Sequence, residues 1–341
     1  MTTVRQLARL AGVSIGTVSK ALHDDTRIGT ETRARVQMLA ELYNYRPNRL
    51  MKSLVTGKSR TIGCVMSTIT STVFEAIMTR AVAEYYHVIP FQTHSSPEAA
   101  CQGIHMLVEQ RVEGILFSPA LIVPIPQSSI LELWSHDIIP VGMGQTLCEV
   151  PIDMVTFDEE AIAVQAVDYL MGLGHRRVAY IGPLSQNALS REEAVDSVLR
   201  QRGLAADLIL RQPSDIDAHH DWYAALFSAP QAPTAIIAFE ERIAATALQQ
   251  AHRHGIRIPE DLSIIGCSNF SIAPCLYPRL TTIDEHWDEI GRKATELLLQ
   301  RLGEGVNAAR TAPLLLKVQP SLVERESCAP PRGRKRLLPK R

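Results

Sequence analysis

The sequence predicts a small all-α head followed by a larger α/β body. Three observations carry this. Residues 4–22 show helical periodicity broken once by a glycine, as two short helices joined by a tight turn would. From Thr61 onward, short apolar strands alternate with helices, the pattern of βαβ units. Charge is also split along the chain: residues 1–60 hold 11 Lys and Arg against 4 Asp and Glu, whereas Thr61–Ser327 holds 18 against 32. With 341 residues, 46 % of them apolar, there is enough chain for two or three domains with a sizeable core.

The head is read first. Leu7, Ala8 and Ala11 share one face of a first helix, and Val18 and Leu22 share one face of a second. Thr3-x-x-Gln6 is a capping box, and Ser14 is an N-cap for the second helix. Gly12 falls at the bend, a place that favours positive φ. The unit is expected to bury Leu7, Ala8, Val18 and Leu22, leaving Ile15, Gly16, Thr17, Ser19 and Lys20 outward. A segment so placed is what a DNA reader inserts in the major groove. An ordinary helical hairpin shares the periodicity, but the net charge of +7 on residues 1–60 favours a phosphate-binding surface. A third helix is expected over Thr30–Tyr43, ended by Pro47.

In the body, strands are expected at Ile62–Met66, Val88–Phe91, Gly114–Phe117, Ile138–Val141, Arg177–Ile181, Ala235–Ala238 and Ser263–Gly266. Helices are expected over Phe74–Tyr86, Pro97–Gln110, Ile125–Ser135, Glu160–Leu173, Glu192–Arg202 and Glu241–His254. Two successive runs of this kind imply two similar lobes, with the chain crossing between them near Gly142–Phe157 and Thr281–Trp287. No P-loop and no G-x-G-x-x-G follows a strand, so no nucleotide cofactor is expected. The 6 cysteines form no C-x-x-C pair and no metal site is expected; Cys64, Cys148 and Cys267 have apolar flanks and read as buried, inert thiols. There is no secretory signal and no apolar run of membrane-spanning length, which fits a cytoplasmic protein.

From Val4 to Ser327 the chain resembles the lactose-repressor (LacI/GalR) family of bacterial transcription regulators. The resemblance rests on Ala11-Gly12-Val13-Ser14-x-x-Thr17-Val18-Ser19, Thr32-Arg33-x-x-Val36 and Tyr45-x-Pro47-Asn48. It also rests on Leu173-Gly174-His175-Arg176-Arg177-Val178-Ala179, Pro259–Gly266 and Leu280-Thr281-Thr282-Ile283, all in the family's order. It implies a helix–turn–helix DNA-binding head over residues 1–46 and a hinge helix and linker over 47–60. Beyond these it implies a two-lobed, periplasmic-binding-protein-like effector and dimerisation domain over 61–327. The remaining residues, 328–341, form a Pro-rich basic tail that reads as disordered, either an extra DNA contact or a passive solvated segment.

By the same resemblance the partners are a double-stranded DNA operator, a small-molecule effector and a second copy of the chain, with no membrane. Ile15, Gly16 and Lys20 would touch base edges. Lys20 can donate to guanine, Ile15 offers apolar contact to a thymine methyl, and Gly16 permits close approach. Thr3, Ser14, Thr17, Ser19, His23 and Asn48 fall where phosphate or sugar contacts position the head, and Arg49 is a further DNA-binding candidate. Leu54 would wedge into a minor-groove step, although a plain linker remains open for that stretch.

For the effector, Arg191 fits the family's ligand arginine and Phe74 its aromatic wall; a surface arginine and a core phenylalanine are the plainer readings. Two departures alter the pocket: Glu240-Glu241 stands where the family has Asn-Asp, and Cys267-Ser268-Asn269 where it has aromatic-Asp-(Asp/Asn). Glu240 and Ser268 therefore join Arg191 and Phe74 as effector candidates. A sugar, sugar acid or sugar phosphate is the expected ligand, with an effector-independent regulator still open. The alternative function is a cytoplasmic small-molecule-binding protein with a nonspecific basic head. An enzyme is not expected, because the histidines form no nucleophile or metal constellation.

Overall fold

The computed structural model describes residues 2–22, 24–45, 57–67, 71–94, 96–118, 125–146, 148–183, 188–215 and 218–331. The chain divides into two compact units, Met1–Arg60 and Thr61–Arg341. The hinge helix expected after Pro47 falls almost entirely outside the described residues, as do His23, Asn48, Arg49 and Leu54.

Among the described residues the head has three helices: α1 (Val4–Ala11), α2 (Ile15–Leu22) and α3 (Thr30–Leu42). Their core is Leu7, Ala8, Ala11, Val18, Ala21, Val36 and Ala40, all buried. Ala21 takes the interior position expected of Leu22, which packs half-buried at its margin. The small side chain lets α2 lie close on α3, and the larger one closes the edge. Gly12 ends α1 with φ 65°, and its N–H reaches the carbonyls of Ala8 and Arg9.

The body has two sheets. The first runs β11-β5-β4-β3-β1-β2 and is parallel throughout. Its strands are β1 (Thr61–Met66), β2 (His87–Gln92), β3 (Gly114–Phe117), β4 (Ile139–Met143), β5 (Asp153–Phe157) and β11 (Leu315–Val318). The second runs β12-β10-β9-β8-β6-β7, parallel except for β12. It holds β6 (Val178–Pro183), β7 (Ile209–Gln212), β8 (Ala235–Ala238), β9 (Ser263–Cys267), β10 (Thr281–Asp284) and β12 (Ser321–Val323). The central strands β3, β4, β8 and β9 are buried along their whole length, as parallel strands covered on both faces must be. Pro90 sits on β2, at a sheet edge, where its missing N–H costs no ladder bond.

Helices α4 (Ser71–Ala83), α5 (Pro97–Glu109) and α6 (Gln127–Ser135) serve the first sheet; α7 (Glu159–Gly172), α8 (Leu189–Gln201), α9 (His219–Ser228) and α10 (Glu241–Arg253) serve the second. Helix α11 (Trp287–Glu304) returns to pack on α4 and the first sheet, followed by α12 (Val306–Thr311). Gly291 permits that return: a Cβ there would lie 2.7 Å from the Val73 carbonyl oxygen on α4.

Among the described residues the chain therefore passes between lobes three times: at Asp158, at Glu285–His286 and at Gln319–Pro320. The first crossing lies beyond the expected Gly142–Phe157 segment, because Asp153–Phe157 is itself a strand of the first sheet. Its opening aspartate is buried but matched. Asp153 accepts from Arg301 on α11 at 2.9 and 3.0 Å, and from the Leu314 N–H at 2.7 Å. The packed body also extends past Ser327, where the tail was expected to start. The Ala329 N–H donates to Ser263 Oγ at 3.1 Å, the Ala329 carbonyl meets His175 Nε2 at 3.0 Å, and Cys328 Sγ reaches the Ile264 carbonyl. Residues 332–341 lie outside the described residues.

Candidate functional site

The head presents a rigid polar face. Thr3 Oγ1 accepts from the Gln6 N–H at 3.3 Å, and Gln6 Oε1 accepts from the Thr3 N–H at 2.8 Å, so the capping box is closed. Ser14 Oγ accepts from the Thr17 N–H at 3.1 Å and bonds the Thr17 hydroxyl at 2.9 Å. These bonds fix the first turn of α2. Ile15, Gly16, Ser19 and Lys20 are exposed on it and Thr17 is half-buried. Ile15 is 45 % exposed, an apolar side chain held outward on the surface of the head. A groove lined by Arg5, Arg9, Gly12, Ser14 and Ile15 runs beside this turn. A Cβ on Gly16 would meet only Ser14 Oγ, at 3.7 Å, so the head's own packing does not demand glycine there.

The second site lies between the lobes. Arg191, on α8, is 1 % exposed, which removes the surface reading. Its Nε donates to Glu159 Oε2 at 2.7 Å and Nη2 to Glu159 Oε1 at 3.3 Å. Nη2 also lies 2.6 Å from Glu285 Oε1, and Nη1 donates to the Phe239 carbonyl at 2.9 Å. The guanidinium packs 4.8 Å from the Phe239 ring centre and 5.3 Å from that of Phe157. Burial works against the arginine charge, but Glu159 and Glu285 outweigh it and hold the Arg191 pKa well above its ordinary value. Burial pushes the Glu285 carboxyl up, against the pull of Arg191.

Glu285 is itself anchored, accepting from Ser268 Oγ at 2.9 Å and Trp287 Nε1 at 2.8 Å. Ser268 and Asn269 both have positive φ, 97° and 53°, a turn that side-chain bonds hold in place. The Asn269 N–H donates to Glu241 Oε1 at 2.7 Å and its side-chain amide donates to Asp284 at 2.8 Å. Glu241 is buried, accepts also from Thr282 Oγ1 at 2.7 Å, and is pushed up to about 8 by that burial. Trp287 packs edge-on to Phe157 at 5.5 Å and stacks with Phe270 at 6.4 Å.

Of the four effector candidates, Arg191 and Ser268 come together through Glu285. Glu240 precedes α10 and pairs outward with the exposed Arg242 at 2.9 Å; the buried member of the Glu240-Glu241 pair is Glu241. Phe74 packs half-buried against the core. The sequence reading missed Glu159, Glu285 and Glu241. Glu159 looks like an ordinary acid in a helix's first turn, and Glu285 lies 94 residues from its arginine. The thiols of Cys64 and Cys267 are buried as expected, while Cys148 is half-buried; burial raises all three pKa values. Among the described residues no helix is long and apolar enough to cross a membrane. No group of three or more His, Cys, Asp or Glu among them is placed to hold a metal ion.

Comparison with known proteins matches residues 3–48 to the family model described as bacterial regulatory proteins, lacI family. Residues 167–328 match a periplasmic binding protein-like domain. The chain is 30 % identical over 310 residues to the Escherichia coli K12 HTH-type transcriptional repressor CytR, covering 88 % of this chain and 89 % of that protein. It is 29 % identical over 339 residues to the Bacillus subtilis HTH-type transcriptional regulator DegA, covering 96 % and 98 %. A structure of the lac repressor dimer bound to operator and the anti-inducer ONPF shares the fold at a TM-score of 0.82, with 23 % identity, 96 % of this chain and 99 % of that one aligned. The helix–turn–helix head, the two-lobed body and these full-length likenesses together place the chain in the lacI family of DNA-binding transcription regulators, a family of regulators and not of enzymes.

Proposed function

We propose that this protein represses transcription in the cytoplasm by binding a near-palindromic operator as a homodimer, with a small molecule between the lobes of the body changing that affinity. The observation that carries the reading is the outward face of α2. Ile15, Gly16, Ser19 and Lys20 stand exposed on a helix whose first turn is fixed by Ser14, within a head of net charge +7. Two such heads read two half-sites, which is why a dimer and a palindrome go together. In this reading Lys20 and Ile15 read bases, while Thr3, Ser14, Thr17, Ser19, His23, Asn48 and Arg49 position the head and Leu54 opens a minor-groove step. The effector is of the polyhydroxylated, sugar-like class, held by groups facing the inter-lobe site. It acts by population shift, since a ligand that prefers one lobe arrangement changes how often the operator-competent state is occupied.

The test is selection of bound fragments from genomic DNA with the full-length protein, repeated across a salt series. A shared near-palindrome retained at moderate salt is the expected result. Fragments without a common motif, lost as salt rises, would replace this reading with a small-molecule-binding protein carrying a nonspecific basic head.

A further inference from the structure

Arg191 has four contacts through its three guanidinium nitrogens, all to this chain: two to Glu159, one to Glu285 and one to the Phe239 carbonyl. The two acids are not arbitrary neighbours. Glu159 opens α7 immediately after the first inter-lobe crossing, and Glu285 lies in the second. Glu159 is further tied to the first lobe, because Gln145, just past β4, donates to Glu159 Oε1 and lies 3.1 Å from Ser190 Oγ next to Arg191. Glu285 is fixed by Ser268 and Trp287. The side chains of Arg191 and Glu285 are 2 % and 1 % exposed and that of Glu159 is 15 % exposed, so these pairs are sheltered from solvent screening.

We propose that Arg191 is a hinge clamp joining two of the three inter-lobe crossings through Glu159 and Glu285, and that this makes the inter-lobe site select neutral or cationic ligands over carboxylates and phosphates. The proposal deepens the effector reading above and rests on it. A carboxylate or phosphate would compete for the fork that Glu159 and Glu285 occupy, and the displaced glutamate would be left buried without its cation, an arrangement that is strongly disfavoured. One arginine against two carboxylates also leaves no surplus positive charge to attract an anion. Arg191 is on this account a positioning residue for the hinge.

Inorganic phosphate is the probe, titrated against chloride at equal ionic strength. The readout is the unfolding midpoint of the full chain, followed by tryptophan fluorescence. All three tryptophans, Trp134, Trp222 and Trp287, lie in the body, so the head is silent. The original protein should show no phosphate-specific rise that depends on Arg191. The Glu159→Gln/Glu285→Gln variant should gain a saturable rise, and adding Arg191→Met should abolish it. Independently, Arg191→Met alone should lower the midpoint, and Glu285→Gln in that background should restore part of the loss by removing the stranded carboxylate. The proposal is overturned by a saturable, Arg191-dependent phosphate response in the original protein, by a folded double-Gln variant that gains none, or by absence of the rescue. Operator affinity measured on the same preparations against a panel of neutral, cationic and acidic sugars reports the effector reading separately: no response to any would remove that reading, while the phosphate comparison would still decide the clamp.

Discussion

Helix α2 and helix α8 each carry the polar residues that family resemblance marks as contacts, yet their surroundings are opposite. On α2 the scaffold bonds Ser14 and Thr17 to cap the helix and leaves Ile15, Gly16 and Lys20 exposed. On α8 the scaffold surrounds Arg191 with two carboxylates, a carbonyl and two aromatic rings. The difference teaches where to look for an outside partner. A group held rigid and left exposed is available to a ligand; a group equally rigid but fully matched inside is structure, and it shapes what its neighbours can bind.

The largest expected effect breaks the matched side of this contrast. Arg191→Met should cost the body roughly 3–5 kcal/mol in urea unfolding, the range for stranding buried charges, and leave the head folded. A cost below about 1 kcal/mol, the value of a surface ion pair, would mean the cluster is not a buried network.

Next is Glu241, the buried acid that opens α10. Its folded-state pKa, about 8, lies above the ordinary carboxylate value because burial disfavours the charged form. Its favourable contribution is therefore full below about pH 4.5 and is lost as pH rises toward 8. Glu241→Gln should flatten that decline, stabilising the protein by roughly 2–4 kcal/mol more at pH 8.5 than at pH 4.5. Parallel pH profiles for the two proteins would place the proton elsewhere.

On the exposed side, Lys20→Ala should weaken operator binding by about 1–3 kcal/mol and relax preference at one base position per half-site. An equal loss on random duplex would reassign Lys20 to the backbone. The smallest effect sharpens the contrast most. Gly16→Ala should stabilise the head by about 0.5–1 kcal/mol, since alanine favours the helix and the added Cβ has room. If Gly16 is there to let DNA approach, operator affinity should fall while thermal stability rises. Unchanged affinity would show that position 16 does not face DNA.

Much of the head was legible because its determinants are local. The capping box at Thr3 and Gln6, the Ser14 cap and the Gly12 bend each act within three or four residues, and each is present. The error there, Leu22 for Ala21, comes from ranking by hydrophobicity where helix packing on α3 calls for a small side chain. In the body seven strands were legible as apolar runs, while Ile209–Gln212, Thr281–Asp284, Leu315–Val318 and Ser321–Val323, which are short and lie toward the sheet edges, were not. Nor was Asp153–Phe157, because its buried aspartate reads as a loop until Arg301 arrives from 148 residues away. The clamp was illegible for the same reason. Arg191 could be marked from its own neighbourhood, but Glu159 and Glu285 acquire meaning only once two crossings bring them to one guanidinium. Non-local charge pairing leaves no periodic trace in a sequence.

The most direct test of the account is a hydroxyl-radical footprint of the full-length protein on its selected fragment, with the Lys20→Ala protein alongside. The account predicts two symmetric protected half-sites phased by the helical repeat, with Lys20→Ala weakening both equally. A single asymmetric patch, or uniform protection along the duplex that disappears in moderate salt, would contradict it.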